Sequence, residues 1–188
     1  MRLALILLAL MALPAHAERW VLDAGRSTLS FTYTENGVPM QGRFPAFSGW
    51  ALYDPAAPAD SSVFVTVDTE AVELPDFVRT AFARTEDWFA TTRHPRAQFE
   101  LTALVPLGDG GLRAEGVMTV KGRSRTVALP VRLAPAGDCL RATGTLEIAL
   151  ADFDIGRGTV SRLIRVGDTV TVRFDLLGRP EIRAADCG

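Results

Sequence analysis

The sequence predicts an all-β fold of eight antiparallel strands able to close into a β-barrel, with one amphipathic helix capping an end. Three observations carry this prediction. Eight segments alternate apolar and polar residues with period two, as strands with one buried and one wet face do. Turn residues separate consecutive segments at hairpin spacing, and only one stretch has helical spacing. Eight strands in hairpin order can close on themselves and remove their edges, leaving room for side chains or one slender ligand. With 188 residues, 48% hydrophobic and 22% charged, the chain is long enough to bury a core and fits one domain.

The N-terminus reads as a targeting segment. Met1-Arg2 supplies a positive charge, Leu3 to Leu13 is an unbroken apolar run, and Pro14-Ala15-His16-Ala17 ends in the small-x-small pattern of a cleavage site. Residues 1–17 are therefore expected to be a cleaved secretory signal, leaving 18–188 as one domain. A retained span would need about 20 apolar residues, and Glu18-Arg19 ends this run too early. No Cys follows the run, so a lipoprotein anchor is not indicated there.

The strands follow in order. Leu29, Phe31 and Tyr33 alternate with Thr28, Ser30, Thr32 and Thr34. Residues 41–53 carry Phe44, Phe47, Trp50 and Tyr53, and the phase change between Phe44 and Phe47 predicts a bulge or bend. Residues 62–69 alternate through Val63, Val65 and Val67. Ala97, Phe99, Leu101 and Ala103 form the next apolar face, and after Gly108-Asp109-Gly110-Gly111 comes the face of Leu112, Ala114, Gly116, Met118 and Val120. Beyond Lys121-Gly122-Arg123-Ser124 lie Val127, Leu129, Val131 and Leu133. Leu140, Ala142, Gly144, Leu146 and Ile148 follow Pro135-Ala136-Gly137-Asp138, and Val170, Val172, Phe174 and Leu176 close the series.

Pro75 to Ala90 differs. Val78, Phe82 and Phe89 fall at helical spacing with Phe77, Ala81 and Trp88 beside them, and Arg79, Ala83 and Glu86 share the opposite side. Pro75 suits a first turn and Pro95 stops continuation. The spacing fits equally a cap over one barrel end or a helix packed on its outside.

Composition narrows the chemistry. A net charge of −2 leaves no footprint for nucleic acid. Beyond residue 17 there is one histidine, His94, and two cysteines, Cys139 and Cys187; no C-x-x-C occurs, and a structural zinc site would want four Cys and His ligands. No metal site and no required cofactor are expected. A hydrolase would have to use His94, which sits in the turn-like Thr92-Arg93-His94-Pro95 and needs a third group to orient it; the enzyme reading ranks last. Asp152 and Asp154 around Phe153 read as a solvated turn rather than as a carboxylate pair or a calcium loop. Of 20 basic residues 19 are arginine. Arg123, Arg125, Arg157, Arg162 and Arg165 sit at loop positions, where they would either cluster on a phosphate or be plain solvated surface. The cysteines lie 48 positions apart, and an exported chain favours their pairing, worth about 4 kcal/mol in the loop-entropy treatment.

Aromatic residues are the remaining signal: ten Phe, three Trp and two Tyr. As pure core they need no function. As the lining of an elongated cavity they would hold a hydrocarbon, each buried methylene contributing about 0.8 kcal/mol. The candidate lining is Phe31, Phe44, Phe47, Trp50, Phe77, Phe82, Phe89, Phe99, Met118 and Leu129. The alternative is a barrel filled by its own side chains, acting as a structural or stress-related interaction protein with no ligand.

The order of these pieces resembles the YceI-like family of exported lipid-binding barrels over nearly all of residues 18–188. Trp20-Val21-Leu22-Asp23 with Ser27-Thr28-Leu29-Ser30-Phe31 is similar to the family's start. Gly42-Arg43-Phe44, Phe47-Ser48-Gly49 and Tyr53-Asp54-Pro55 resemble its second strand and turn. Asp87-Trp88-Phe89 with His94-Pro95-Arg96-Ala97-Gln98-Phe99 is similar to its segment of a Phe pair bracketing a Pro turn. Gly116-Val117-Met118-Thr119-Val120-Lys121-Gly122 is close to its Gly-x-Leu-Thr-Ile-x-Gly hairpin. Asp152-Phe153-Asp154-Ile155-Gly156 and Val166-Gly167-Asp168-Thr169-Val170 resemble its final loop and strand. Singly these motifs are weak; their order is what is specific. Two departures stand out: Thr34 to Met40 lacks the His many relatives carry there, and Asp154 stands where relatives often have Gly. The resemblance implies a lipocalin-like barrel with a helix over one end, holding a polyisoprenoid or isoprenoid quinone in its lumen. It further implies a non-enzymatic carrier or storage role in the periplasm, with an amphiphilic lipid as partner. Whether the protein forms a homodimer is left open by the sequence.

Overall fold

The computed structural model describes residues 18–108, 110–158 and 165–187. The expected signal, residues 1–17, and Arg162 lie outside these. Alternation becomes ten strands: β1 Glu18–Leu22, β2 Thr28–Glu35, β3 Val38–Arg43, β4 Phe47–Tyr53, β5 Ser62–Asp68, β6 Arg96–Pro106, β7 Leu112–Val120, β8 Arg123–Ala136, β9 Cys139–Ala149 and β10 Thr169–Pro180. All pairings are antiparallel, and β1 pairs with both β4 and β10, which closes the ring.

These ten segments make eight staves. β2 continues β1 along β10, and β3 continues the line of β4 alongside β2. The first stave is interrupted by a single 3-10 turn at Ala24–Arg26. Ser27 holds the two halves to β10: its hydroxyl donates to the Asp23 carbonyl at 2.6 Å and accepts the Leu177 N–H at 2.8 Å. The expected bend between Phe44 and Phe47 is the gap between β3 and β4. β1 itself was not among the eight alternating segments, because five residues carry too little pattern to stand out.

Two sequence expectations are corrected. Alternation puts Ala97, Phe99, Leu101 and Ala103 on the apolar face of β6. Its register against β7 shifts between Leu101 and Ala103, so the inward position passes to the buried Leu104. The Thr102 hydroxyl at that irregularity donates to the Glu115 carbonyl at 3.0 Å.

The second correction concerns the helix. Helix α1 is Phe77–Ala83 only, not 75–90. Asp76 caps it by accepting the Arg79 N–H. It ends because the Phe82 carbonyl is taken by the Thr85 hydroxyl at 2.7 Å, and the chain folds back with Ala90 at φ 49°. Phe89 and Thr91 then donate their N–H groups to Ala83 and Arg84.

The barrel has two unlike ends. At the helix end stand α1, the β2–β3 and β7–β8 turns and the 3-10 turn Leu150–Phe153 that follows β9. The two turns are Asn36-Gly37 and Lys121-Gly122, both residues left-handed in each, as tight antiparallel hairpins require. At the other end, Cys139 is bonded to Cys187 with their Cα atoms 5.0 Å apart, around the fully buried Leu177. The expected pairing of the cysteines is thus present.

Candidate functional site

Inward-facing residues of all eight staves surround a cavity of about 420 Å³. One stretch of its wall is the buried cluster of Leu104, Ala114, Leu129, Val131 and Leu146, with Tyr53, Phe99 and Phe174 packed against it. At the helix end the wall carries a linked set of rings. Phe31 lies 6.1 Å from Tyr33 and 5.2 Å from Phe44 between ring centroids, and Phe44 meets Phe89 edge-on at 5.6 Å. Phe82 of α1 contacts Trp88 at 5.9 Å.

Three rings lie against the wall because a glycine stands beneath each. A Cβ on Gly42 would fall 2.3 Å from the Phe31 ring, one on Gly116 2.6 Å from Phe99, and one on Gly144 2.4 Å from Phe174. Phe31 is directly opposite Gly42 in the β2–β3 ladder, and Phe174 opposite Gly144 in β10–β9. Each ring occupies the space its neighbour's side chain would have taken, so the lumen beside it stays open.

The charged side chains bordering the lumen among the described residues are Glu35 and Arg79. They meet across the mouth: Arg79 Nε donates to Glu35 Oε2 at 2.8 Å and Nη2 to Oε1 at 2.7 Å. Arg79 also pairs with Asp76. The Glu35 side chain is only 13% exposed, and its hydrogen bonds from Arg79 hold the carboxyl below its ordinary range. Burial, and then the Glu35 charge, push the Tyr33 phenol upward. Three buried donors beside the lumen have no hydrogen-bond partner among the described residues: the indole N–H groups of Trp20 and Trp88 and the Ser61 hydroxyl.

Of the ten residues proposed as lining, Phe31, Phe44, Phe47, Phe82, Phe89, Phe99, Met118 and Leu129 border the cavity. Trp50 also borders it, but is out of phase with Phe47, Gly49, Ala51 and Tyr53 on β4, and its ring carries the Arg19 guanidinium at 4.5 Å. Phe77 is not part of the wall; it is 83% exposed. The short helix turns Arg79, Phe82 and Ala83 inward, which reverses the faces expected of Phe77, Arg79 and Ala83. The Arg79–Glu35 pairing is not legible in the sequence, because the two lie 44 residues apart and read as surface charges.

The other candidates remain apart from the lumen. The His94 ring lies over Gly122, where a Cβ would meet it at 2.8 Å, and its backbone carbonyl accepts the Thr69 hydroxyl. Asp154 is left-handed at φ 57°, a conformation asparagine and aspartate tolerate better than most residues, and its carboxylate takes Arg123 at 3.3 Å. Asp152 is exposed. Arg125 donates to the Ser124 carbonyl, while Arg157 and Arg165 are exposed. Among the described residues no group of three His, Cys, Asp or Glu is placed to hold a metal, and no helix is long and apolar enough to cross a membrane.

Comparison with known proteins places this architecture. A UPF0312 protein of Vibrio cholerae is 30% identical over 164 residues, covering 81% of this chain and 87% of its own. The crystal structure of Burkholderia cenocepacia BcnA is similar with a TM-score of 0.77 and 31% identity, over 83% of this chain and 98% of that one. A polyisoprenoid binding domain from Saccharophagus degradans, described as implicated in plant cell wall breakdown, shares the fold with a TM-score of 0.67 at 21% identity, over 86% and 98% of the two chains. Residues 20–177 match the YceI-like domain, and the chain belongs to the YceI-like family.

Proposed function

We propose that this protein holds an amphiphilic isoprenoid, a polyisoprenoid or an isoprenoid quinone, in its lumen and serves as a periplasmic carrier or store without catalysing a reaction. The observation that carries the proposal is the apolar cavity of about 420 Å³ running between two unlike ends, a size within the range of small-molecule sites. A side-chain-filled barrel would leave no such space. Each methylene that enters gains about 0.8 kcal/mol, so a long tail binds without a specific polar contact. The name of the Saccharophagus degradans neighbour, a polyisoprenoid binding domain, agrees with that ligand class. Export is supported by the N-terminal pattern of residues 1–17 and by a disulfide, which oxidising compartments maintain.

Solvent extraction of the natively purified protein followed by mass spectrometry tests the proposal, together with uptake of added polyprenol. Expected is a prenyl lipid in the extract and saturable uptake, reduced in Phe82→Asp while circular dichroism shows the barrel folded. No lipid in repeated preparations and no uptake of added prenyl compounds would sink it.

A further inference from the structure

We propose that the disulfide end of the lumen is a head-group site, in which the Trp20 indole N–H and the Ser61 hydroxyl bind the carbonyl oxygen of a neutral prenyl head while the tail runs toward the helix end. This site rests on the carrier reading and adds the class of head group to it. Trp20 of β1 and Ser61, the residue before β5, both border the cavity, and both of their hydrogen-bonding atoms are buried without a partner among the described residues. A buried donor left unmade destabilises the fold, so such groups mark a place where something is meant to accept from them. The two flank one stretch of β4. Trp20 stands opposite Ala51, Ala51 opposite Val63, and Tyr53 borders the cavity two residues further along β4. Tyr53 is in turn opposite Glu18, which pairs with Arg183 next to Asp138 at the disulfide end. Burial, and then the Asp54 charge, push the Tyr53 phenol upward, so it remains a neutral hydroxyl at pH 7.

The chemistry of these groups restricts what they take. An indole N–H only donates, so Trp20 requires an acceptor, and a carbonyl oxygen has two lone pairs with which to meet both Trp20 and Ser61. A phosphate head would bring negative charge into a stretch of lumen bordered by no cation. The charged residues around the cavity among those described are Glu35 and Arg79 at the helix end, and Arg79 is already held by Glu35 and Asp76. The remaining unpartnered donor, the Trp88 indole, lies at the helix end against Phe82. It stands between the lumen and a separate crevice lined by Arg157 and Asp168, and no other orphaned donor accompanies it among the described residues. The paired donors at the disulfide end are therefore the better receptor for a head group.

The full exported chain, freed of lipid and isotopically labelled at its indole nitrogens, would be titrated with a prenyl benzoquinone, the matching prenyl phosphate and the matching prenyl hydrocarbon. The Trp20 and Trp88 indole signals are identified by their loss in Trp20→Phe and Trp88→Phe. Expected is a shift of the Trp20 N–H signal by the quinone and not by the hydrocarbon, while Trp88 responds alike to both. Uptake of the phosphate should be weaker than that of the quinone by about tenfold or more. Ser61→Ala should weaken quinone uptake by about tenfold and leave hydrocarbon uptake unchanged, which separates a lost head contact from a damaged barrel. A quinone that moves Trp88 in place of Trp20, a phosphate taken up as well as the quinone, or a Ser61→Ala protein that takes up quinone like wild type would each overturn the head-group site and leave the carrier reading standing. No uptake of any of the three compounds would remove both.

Discussion

At one end of the barrel, Cys139 and Cys187 tie the C-terminal segment to the β8–β9 turn. Asp138 and Asp186 exchange hydrogen bonds there, and Arg183 bridges Glu18 and Asp138. At the other end, a seven-residue helix leans across the mouth, held by the buried Ala83, the Phe82–Trp88 ring contact, the Leu74 N–H donating to the Thr80 hydroxyl and the Arg79–Glu35 pair. Covalent closure and buried Leu177 serve stability at the first end, whereas the second joins apolar contact to a reversible ion pair. The elements free to move during exchange of a lumen ligand are therefore expected at the helix end, where fewer constraints must be broken.

The largest expected effect would sharpen this contrast. Replacing Cys139 and Cys187 with Ser should lower unfolding stability by about 4 kcal/mol in urea titrations, while prenyl uptake by the folded fraction stays unchanged; reduced uptake would mean that the ends are coupled. Next, Gly144→Ala should push the Phe174 ring from the wall, costing about 1–3 kcal/mol by overpacking and weakening uptake of polyprenol in the same titration format.

Glu35→Gln addresses the mouth alone. Because Arg79 holds the Glu35 carboxyl below its ordinary value of 4.5, the carboxylate stabilises the fold above that pH and its contribution is lost as pH falls through the lowered value. Urea midpoints should separate wild type from Glu35→Gln at pH 7 and converge in acid. The smallest effect belongs to Phe77→Ser, whose unfolding free energy should stay within about 0.5 kcal/mol of wild type because the side chain is exposed.

How far the sequence reveals this molecule depends on which signal is local. Alternation along β2, β7, β9 and β10 is written into neighbouring residues, so the barrel staves are legible. The shift at Thr102 is invisible because the surrounding residues alternate smoothly on paper. The helical pattern runs past the end of α1 for a similar reason: Phe89 keeps helical spacing with Phe82, but Thr85 diverts the Phe82 carbonyl and the turn returns Phe89 to the barrel by another route. The same pattern puts Phe77 in the expected lining. The Arg79–Glu35 contact depends on where a helix lands on a strand, which no stretch of sequence records. The cysteine pairing could be read because the export expected from the pattern of residues 1–17 supplies a chemical reason for it.

The glycines under Phe31, Phe99 and Phe174 make calibre a heritable trait of this tube. Methyl groups added at positions 42, 116 and 144 would narrow the passage from inside while the hydrogen-bonded hoop kept its circumference. Relatives of the same stave number could thus favour flat, branched or cylindrical guests without rebuilding their scaffold.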